Sequence, residues 1–249
     1  MSNAHIFRKE WIDQLFPQPG TPYRHERRDL VGGTGESEWE SSAADLKVKD
    51  VCRSCNSSWM NDLDLAAEDA FATRAAIGHY VKLAAPADKA VLARWCCLIA
   101  VLFDRASETP CLGAATHRAL RAGRVPDGAM VWLAATVLDA GWSRLAFGST
   151  GRLTLKGDVL APEQRDTEHG VAYFMTFGVG QLIAQVLLPT PLTRQGARIE
   201  RRLDPKLLRQ LWPDPIVPFG WPPPLKIRPS EMQDFVRGIH WVEAPPGTS

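Results

Sequence analysis

Residues 51–60 read VCRSCNSSWM, with Cys52 and Cys55 three positions apart and Asn56, Ser57, Ser58, Trp59 and Met60 immediately after them. Cysteines at this spacing suit a metal knuckle, and they serve equally well as a packed turn that opens a helix. The chain beyond them is helical in pattern. Asn56 and Ser57 are good caps, and Trp59, Leu63, Ala67, Ala70, Phe71 and Ala75 recur at helical spacing as far as Gly78. The spacing predicts a helix that begins on the cysteine turn, with Trp59 and Met60 opening its apolar stripe and therefore belonging to the core.

Upstream of the turn, Leu46–Val51 has strand character, with a second strand piece around Arg28–Val31. The intervening residues from Thr21 to Asp45 are polar and rich in Gly, Ser and Glu, which predicts a hairpin with a long exposed connection. Farther back, Ile6, Phe7, Trp11, Leu15 and Phe16 lie at roughly helical spacing, and Pro17-Gln18-Pro19-Gly20 ends the pattern.

Downstream, Pro86 at a helix start and Asp88 in its first turn open a helix through Phe103, apolar on most sides. Cys96 and Cys97 fall inside that run and read as small core hydrophobes. A shorter helix is expected near Thr116–Ala122. The segments AMVWLAATVLDAGWSRLAFGSTGRLTLKG and VAYFMTFGVGQLIAQVLL read as strands broken by glycines. The C-terminal part predicts a helix at Pro205–Leu211, proline-rich turns through Pro224 and a last helix near Ser230–Gly238. An antiparallel sheet covered by helices is the economical arrangement, so the fold class is α+β.

The chain has 249 residues, of which 45% are hydrophobic, enough for a substantial core. A formal net charge of +1 offers no global attraction to nucleic acid, so any such binding must be local. The five cysteines do not form an evenly spaced disulfide framework, and a reducing compartment is expected. The longest apolar run, Trp95–Phe103, falls far short of the roughly 20 residues a membrane span needs. The N-terminus offers no charged-then-apolar signal sequence, and the expected location is cytoplasmic.

His5 stands in NAHIF, an amphipathic segment comes next, and after a polar stretch comes VCRSCNSSWMNDLD. This order resembles the HNH endonuclease family, in the actinobacterial and phage type whose members run EHIFPKWL and later CNNGWM followed by Leu-Glu. The likeness extends loosely through VWLA, FGVGQLIAQVL and LWPDPIVPFGWPPPL. It implies an N-terminal ββα-metal unit over residues 1–78 and a larger α+β domain over 79–249. It further implies metal-dependent hydrolysis of DNA phosphodiester bonds. That chemistry needs a base to deprotonate water and a divalent cation, Mg or Mn, to neutralise the phosphate.

On this resemblance His5 is the base, a role that suits an imidazole, which ordinarily titrates near pH ~6.5. Asn56 helps to hold the cation or orient the base, and Asp64, where relatives carry Glu, supports them from two turns along the helix. Three departures accompany the match. Relatives carry an acid where this chain has Ala4, and proline where it has Arg8. A structural zinc needs four ligands, and Cys52 with Cys55 supplies two. The family's first Cys-x-x-Cys precedes the histidine, and only four residues precede His5 here. A later start than the native one, loss of the metal, or an unusual donor such as His25 are the alternatives.

Read without the family pattern, His5 is a surface histidine, Cys52 and Cys55 a packed turn, and His79, His117, His169 and His240 structural or exposed. The run TRQGARIERR, with Arg194, Arg198, Arg201 and Arg202, is either a phosphate-tracking face or a solvated one. Between Thr190 and His240 nine Lys or Arg stand against five Asp or Glu, a modest excess that is the best electrostatic footprint available for DNA. The competing function is a catalytically degenerate module of the same fold that binds nucleic acid or a partner protein.

Overall fold

A computed structural model describes residues 2–15, 23–27, 37–41, 47–83, 85–107, 110–137, 146–154, 171–191, 206–213, 219–231 and 235. The chain opens with β1 (Ser2–His5) and α1 (Lys9–Leu15), then β2 (Tyr23–Arg27), β3 (Ser37–Ser41) and β4 (Lys47–Val51). A helical run, α2 (53–76), comes next. It is kinked at Ser58, whose φ of −123° and ψ of −110° are not helical. Beyond it lie β5 (Val81–Leu83), α3 (Pro86–Ala106), α4 (Ala114–Arg121), β6 (Met130–Ala135), β7 (Ala146–Thr154), β8 (Val171–Val179) and β9 (Leu182–Pro189). β10 (Leu208–Trp212), β11 (Phe219–Trp221) and a 3-10 turn at Pro229–Glu231 close the described chain.

The centre is a five-stranded antiparallel sheet in the order β10-β6-β9-β8-β7. Its central strands are apolar on both faces because both are covered. Tyr173, Met175, Phe177 and Val179 on β8 join Leu182, Ala184, Val186 and Leu188 on β9 in the cluster beneath the helices. The alternating residues Ala172, Phe174, Ile183 and Leu187 join Trp132, Leu208, Ile227 and Phe235 on the opposite face. Such period-two partition arises from the pleat of a strand. The α+β class with an antiparallel sheet is therefore observed.

α3 runs across the first face as the central core helix. Pro86 occupies its first turn, where a missing N–H costs nothing, and Leu92, Trp95, Cys96, Cys97, Ile99 and Ala100 are all buried. The core extends unbroken across residue 78. Trp11 meets Trp95 edge to face with ring centroids 5.8 Å apart, and Phe7 lies 5.9 Å from Phe177. Gln181 N–H donates to the Ala76 carbonyl at 2.8 Å where Gly180, at φ +57°, turns β8 into β9. A Cβ on Gly180 would fall 2.2 Å from that same carbonyl oxygen, so the hairpin tip needs glycine to approach α2.

Two expectations are corrected by these elements. The helix expected at Pro205–Leu211 is instead the strand β10, because Leu208 and Leu211 are buried and the backbone pairs with the open edge of β6. Asn56 and Ser57 do not cap α2. Cys52 stands at the N-cap, and the Asn56 N–H already donates to the Cys52 carbonyl at 2.9 Å, so the first turn begins earlier. Leu46–Val51 does provide a strand, but it pairs with β1, while β2 and β3 form their own hairpin. The strand expected around Arg28–Val31 lies outside the described residues, as does most of the last expected helix.

Candidate functional site

β1 and β4 form a two-stranded antiparallel ladder in which Ala4 pairs with Val48 and His5 with Lys47. Side chains alternate along a strand, so these neighbours face opposite ways. Ala4 is fully buried, at 0% exposure, in the layer that holds Val48, whereas His5 is half-buried. The position where the resembled family carries an acid therefore points into apolar packing.

β4 leads directly into α2, giving the order strand, strand, helix. The candidate residues stand at two ends of it. Ser2 pairs with Val51, so His5 lies four residues along the ladder from the cysteine turn, roughly 13 Å at the rise of a strand. Cys52, Cys55 and Asn56 lie just beyond Val51. The half-buried Asn56 makes no side-chain hydrogen bond among the described residues, so its amide remains available to a ligand.

Cys52 is exposed, and its sulfur sits 2.9 Å from the Ser54 hydroxyl. That hydroxyl, and after it the backbone N–H and the thiol of Cys55, favours the thiolate and brings the Cys52 pKa down to about 7. The two sulfurs are thus neighbours on one tight turn, as the spacing predicted. They do not make a zinc site alone. A tetrahedral zinc takes four donors, and no group of three or more His, Cys, Asp or Glu able to hold a metal ion occurs among the described residues. His25 lies on β2 opposite Trp39, in a two-stranded sheet separate from β1 and β4 and adjoining β7.

Asp64 belongs to a different setting. The kink at Ser58 separates it from Asn56, so an unbroken helical wheel does not relate their faces. Its Oδ1 accepts the indole N–H of Trp95 at 3.0 Å, and Trp95 is 1% exposed. Burial and the neighbouring Glu68 carboxylate push the Asp64 pKa up to about 7, against the Trp95 hydrogen bond and the Arg8 charge, which pull it down.

Arg8 closes this cluster. Its Nε donates to Glu68 Oε1 at 2.9 Å and Oε2 at 3.1 Å, and its Nη2 also donates to Oε2. The Glu68 hydrogen bonds hold the guanidinium pKa above its ordinary value. Trp11 Nε1 donates to Thr73 Oγ1 at 3.0 Å, pinning α1 to the same helix. A cleft lined by Glu68, Asp69, Thr73 and Arg74 of α2 and Asp88 of α3 adjoins the pair.

Arg8, Glu68 and Trp95 are the residues that sequence reading did not assign to the site. Glu68 had a local signal, since it stands four positions from Asp64 on one helix. The proline-to-arginine departure at position 8 was visible without its partner. Nothing local points from Trp95 to Asp64. Met60 is buried as expected, and half-buried Trp59 lies with the Arg94 guanidinium 5.6 Å over its ring.

His79 is exposed, and His117 is hydrogen-bonded with Arg105 at 3.2 Å. Arg194, Arg198, Arg201 and Arg202 lie outside the described residues, as do His169 and His240. Among the described residues no helix is long and apolar enough to cross a membrane. Neither a protein-family model, nor a curated protein, nor a solved structure matches this chain.

Proposed function

We propose that the β1, β4 and α2 unit is an HNH-type module that acts on DNA phosphodiester bonds, with His5 as the general base. The reading rests on one observation above the rest. His5 closes a strand paired with the strand that feeds directly into the helix bearing Cys52, Cys55 and Asn56, which is the order of parts the resembled family uses.

In this reading the half-buried imidazole takes the proton from the attacking water, and Asn56, at the far end of the β1–β4 ladder, is given no part in that step. A divalent cation, Mg or Mn, would neutralise the phosphate charge. Among the described residues the donors for such a cation are incomplete, so no step is routed through it. The reducing, cytoplasmic compartment in this reading rests on five cysteines that form no evenly spaced disulfide framework.

A second reading, a module of the same fold that binds nucleic acid or a protein without cutting, is favoured by Ala4. That residue offers no donor and is wholly buried, and the carboxyl of Asp64 is engaged by Trp95. The deciding experiment is cleavage of duplex and single-stranded DNA with Mg or Mn by protein freed of contaminating nuclease. His5→Ala should lower the rate by roughly 10²–10⁴-fold with binding little changed. Undiminished cleavage by that variant sinks the base assignment. Salt-sensitive DNA binding without cleavage selects the second reading.

A further inference from the structure

The five cysteines of the chain lie in three surroundings. Cys96 and Cys97 are fully buried in α3, and as successive residues of a helix their side chains leave it about 100° apart. Cys111 is half-buried in the loop after α3, where its N–H and its thiol donate to Oδ1 of the buried Asp104 at 2.9 and 3.4 Å, so that thiol is already engaged. Cys52 and Cys55 differ from all three. Cys52 is exposed and Cys55 half-buried, and Arg53, Ser54, Ser57 and Ser58 around them are exposed as well, which opens the pair to small solutes.

The turn that carries the pair is already closed. The Asn56 N–H donates to the Cys52 carbonyl at 2.9 Å, and the Cys55 backbone is helical at φ −64° and ψ −45°. Residues three apart on such a turn have Cα atoms about 5 Å apart, inside the range of roughly 4.4–6.8 Å that a disulfide spans. The Cys55 thiol is within hydrogen-bonding reach of the Cys52 sulfur. Joining the two sulfurs therefore costs little further chain entropy.

The same pair does not fit a structural zinc. That ion takes four donors, and no third His, Cys, Asp or Glu gathers with the two among the described residues, which include all five cysteines.

We infer that Cys52 and Cys55 form a redox-active dithiol that exchanges with small-molecule disulfides of the glutathione class. Cys52, the more exposed of the two, gives up its proton and attacks one sulfur of the reagent. A bond forms between Cys52 and that sulfur, the reagent's S–S bond breaks, and the other half leaves with the electron pair and takes up a proton as free thiol. Cys55 then loses its proton and attacks the Cys52 sulfur of the mixed disulfide, forming the Cys52–Cys55 bond and releasing the second half as a thiol. Two protein thiols are oxidised and one small disulfide is reduced to two thiols. Excess small thiol runs the sequence backwards. The exchange uses neither His5 nor DNA, so it stands or falls apart from the nuclease reading.

The test is equilibration of the full chain, without air, in mixtures of reduced and oxidised glutathione, followed by acid quenching, alkylation and mass mapping. The expected product is an internal Cys52–Cys55 disulfide, two hydrogens lighter than the reduced chain, with Cys96 and Cys97 unmodified and the dithiol restored by excess reduced glutathione. Cys55→Ser should stop at a glutathione adduct on Cys52. Cys52→Ser should slow the reaction of the remaining thiol about 10-fold or more. Both variants should keep the parent's far-ultraviolet circular dichroism. A parent chain that stays reduced across these mixtures, or that stops at a stable glutathione adduct, overturns the inference. So does one tightly held zinc per chain that blocks the oxidation, because it returns the pair to a metal knuckle.

Discussion

Trp95 and Asp64 meet through a 3.0 Å hydrogen bond from the indole N–H to Oδ1, which joins the central core helix to the helix that begins on the cysteine turn. The bond ties a carboxyl into the interior. Burial there raises the carboxyl's pKa against the downward pull of that bond.

Asp64 should give the fold a measurable pH dependence. Its folded pKa, about 7, stands above the ordinary value of 3.8, so the folded state holds a proton that the unfolded chain releases. Stability from this group is therefore complete below about pH 4 and is lost as pH rises through about 7. The loss is on the order of 2–4 kcal/mol. Asp64→Asn should flatten this slope in urea titrations run across that range, and an unchanged slope would place the pH dependence elsewhere.

Trp95→Phe and Trp95→Ala separate the hydrogen bond from the packing. The phenylalanine variant loses the N–H and should cost about 1–3 kcal/mol, with the Asp64 pKa rising further because a donor to its charged form is gone. The alanine variant also empties an indole's space beside Trp11 and Phe177 and should cost about 3–5 kcal/mol. Equal losses in the two variants would show that the ring's packing contributes little.

Arg8→Ala should be strongly destabilising, because it leaves Glu68, whose side chain is 8% exposed, charged and without its partner. The expected loss is about 3–5 kcal/mol by chemical denaturation. Adding Glu68→Gln should restore much of it. Arg8→Lys should recover little, since a single ammonium does not replace two-point contact with the carboxylate.

Cys52 should be the fastest-reacting thiol. Alkylation of the native protein is expected to label this exposed residue with a rate that rises through about pH 7, while buried Cys96 and Cys97 stay unlabelled until unfolding. Ser54→Ala should move the inflection upward, because the Ser54 hydroxyl is the largest single influence on the Cys52 thiolate. Mass mapping of the labelled peptides checks both expectations.

The local patterns were legible wherever neighbours in sequence set the structure. The 3.6-residue stripe from Trp59 to Ala75 gave α2, and Pro86 with the apolar run behind it gave α3. Alternation with glycine punctuation gave β6, β8 and β9. Pro205–Leu211 misled because a short stretch with two buried leucines fits either period, and the open edge of β6 decided for a strand. At the site, the cysteine turn was readable because its geometry is local. The environment of Asp64 was not, because Trp95 lies 31 positions away and Glu68 is neutralised from position 8.

By itself, then, the sequence determined the α+β class, the helix on the cysteine turn, the core nature of Cys96 and Cys97, and the candidate set His5, Cys52, Cys55 and Asn56. The first three come from period within one segment, and the candidate set is what the resemblance to the HNH family implies. The tertiary structure alone decided that β4 pairs with β1, that Ala4 points inward, that the cysteine turn and His5 stand at opposite ends of one ladder, and that Asp64 is drawn into the core. Those outcomes depend on which distant surfaces meet. Burying Trp11, Trp95 and Phe177 together is a large gain that local propensity does not contain, and once those rings are packed, the polar groups beside them take whatever partners remain in reach.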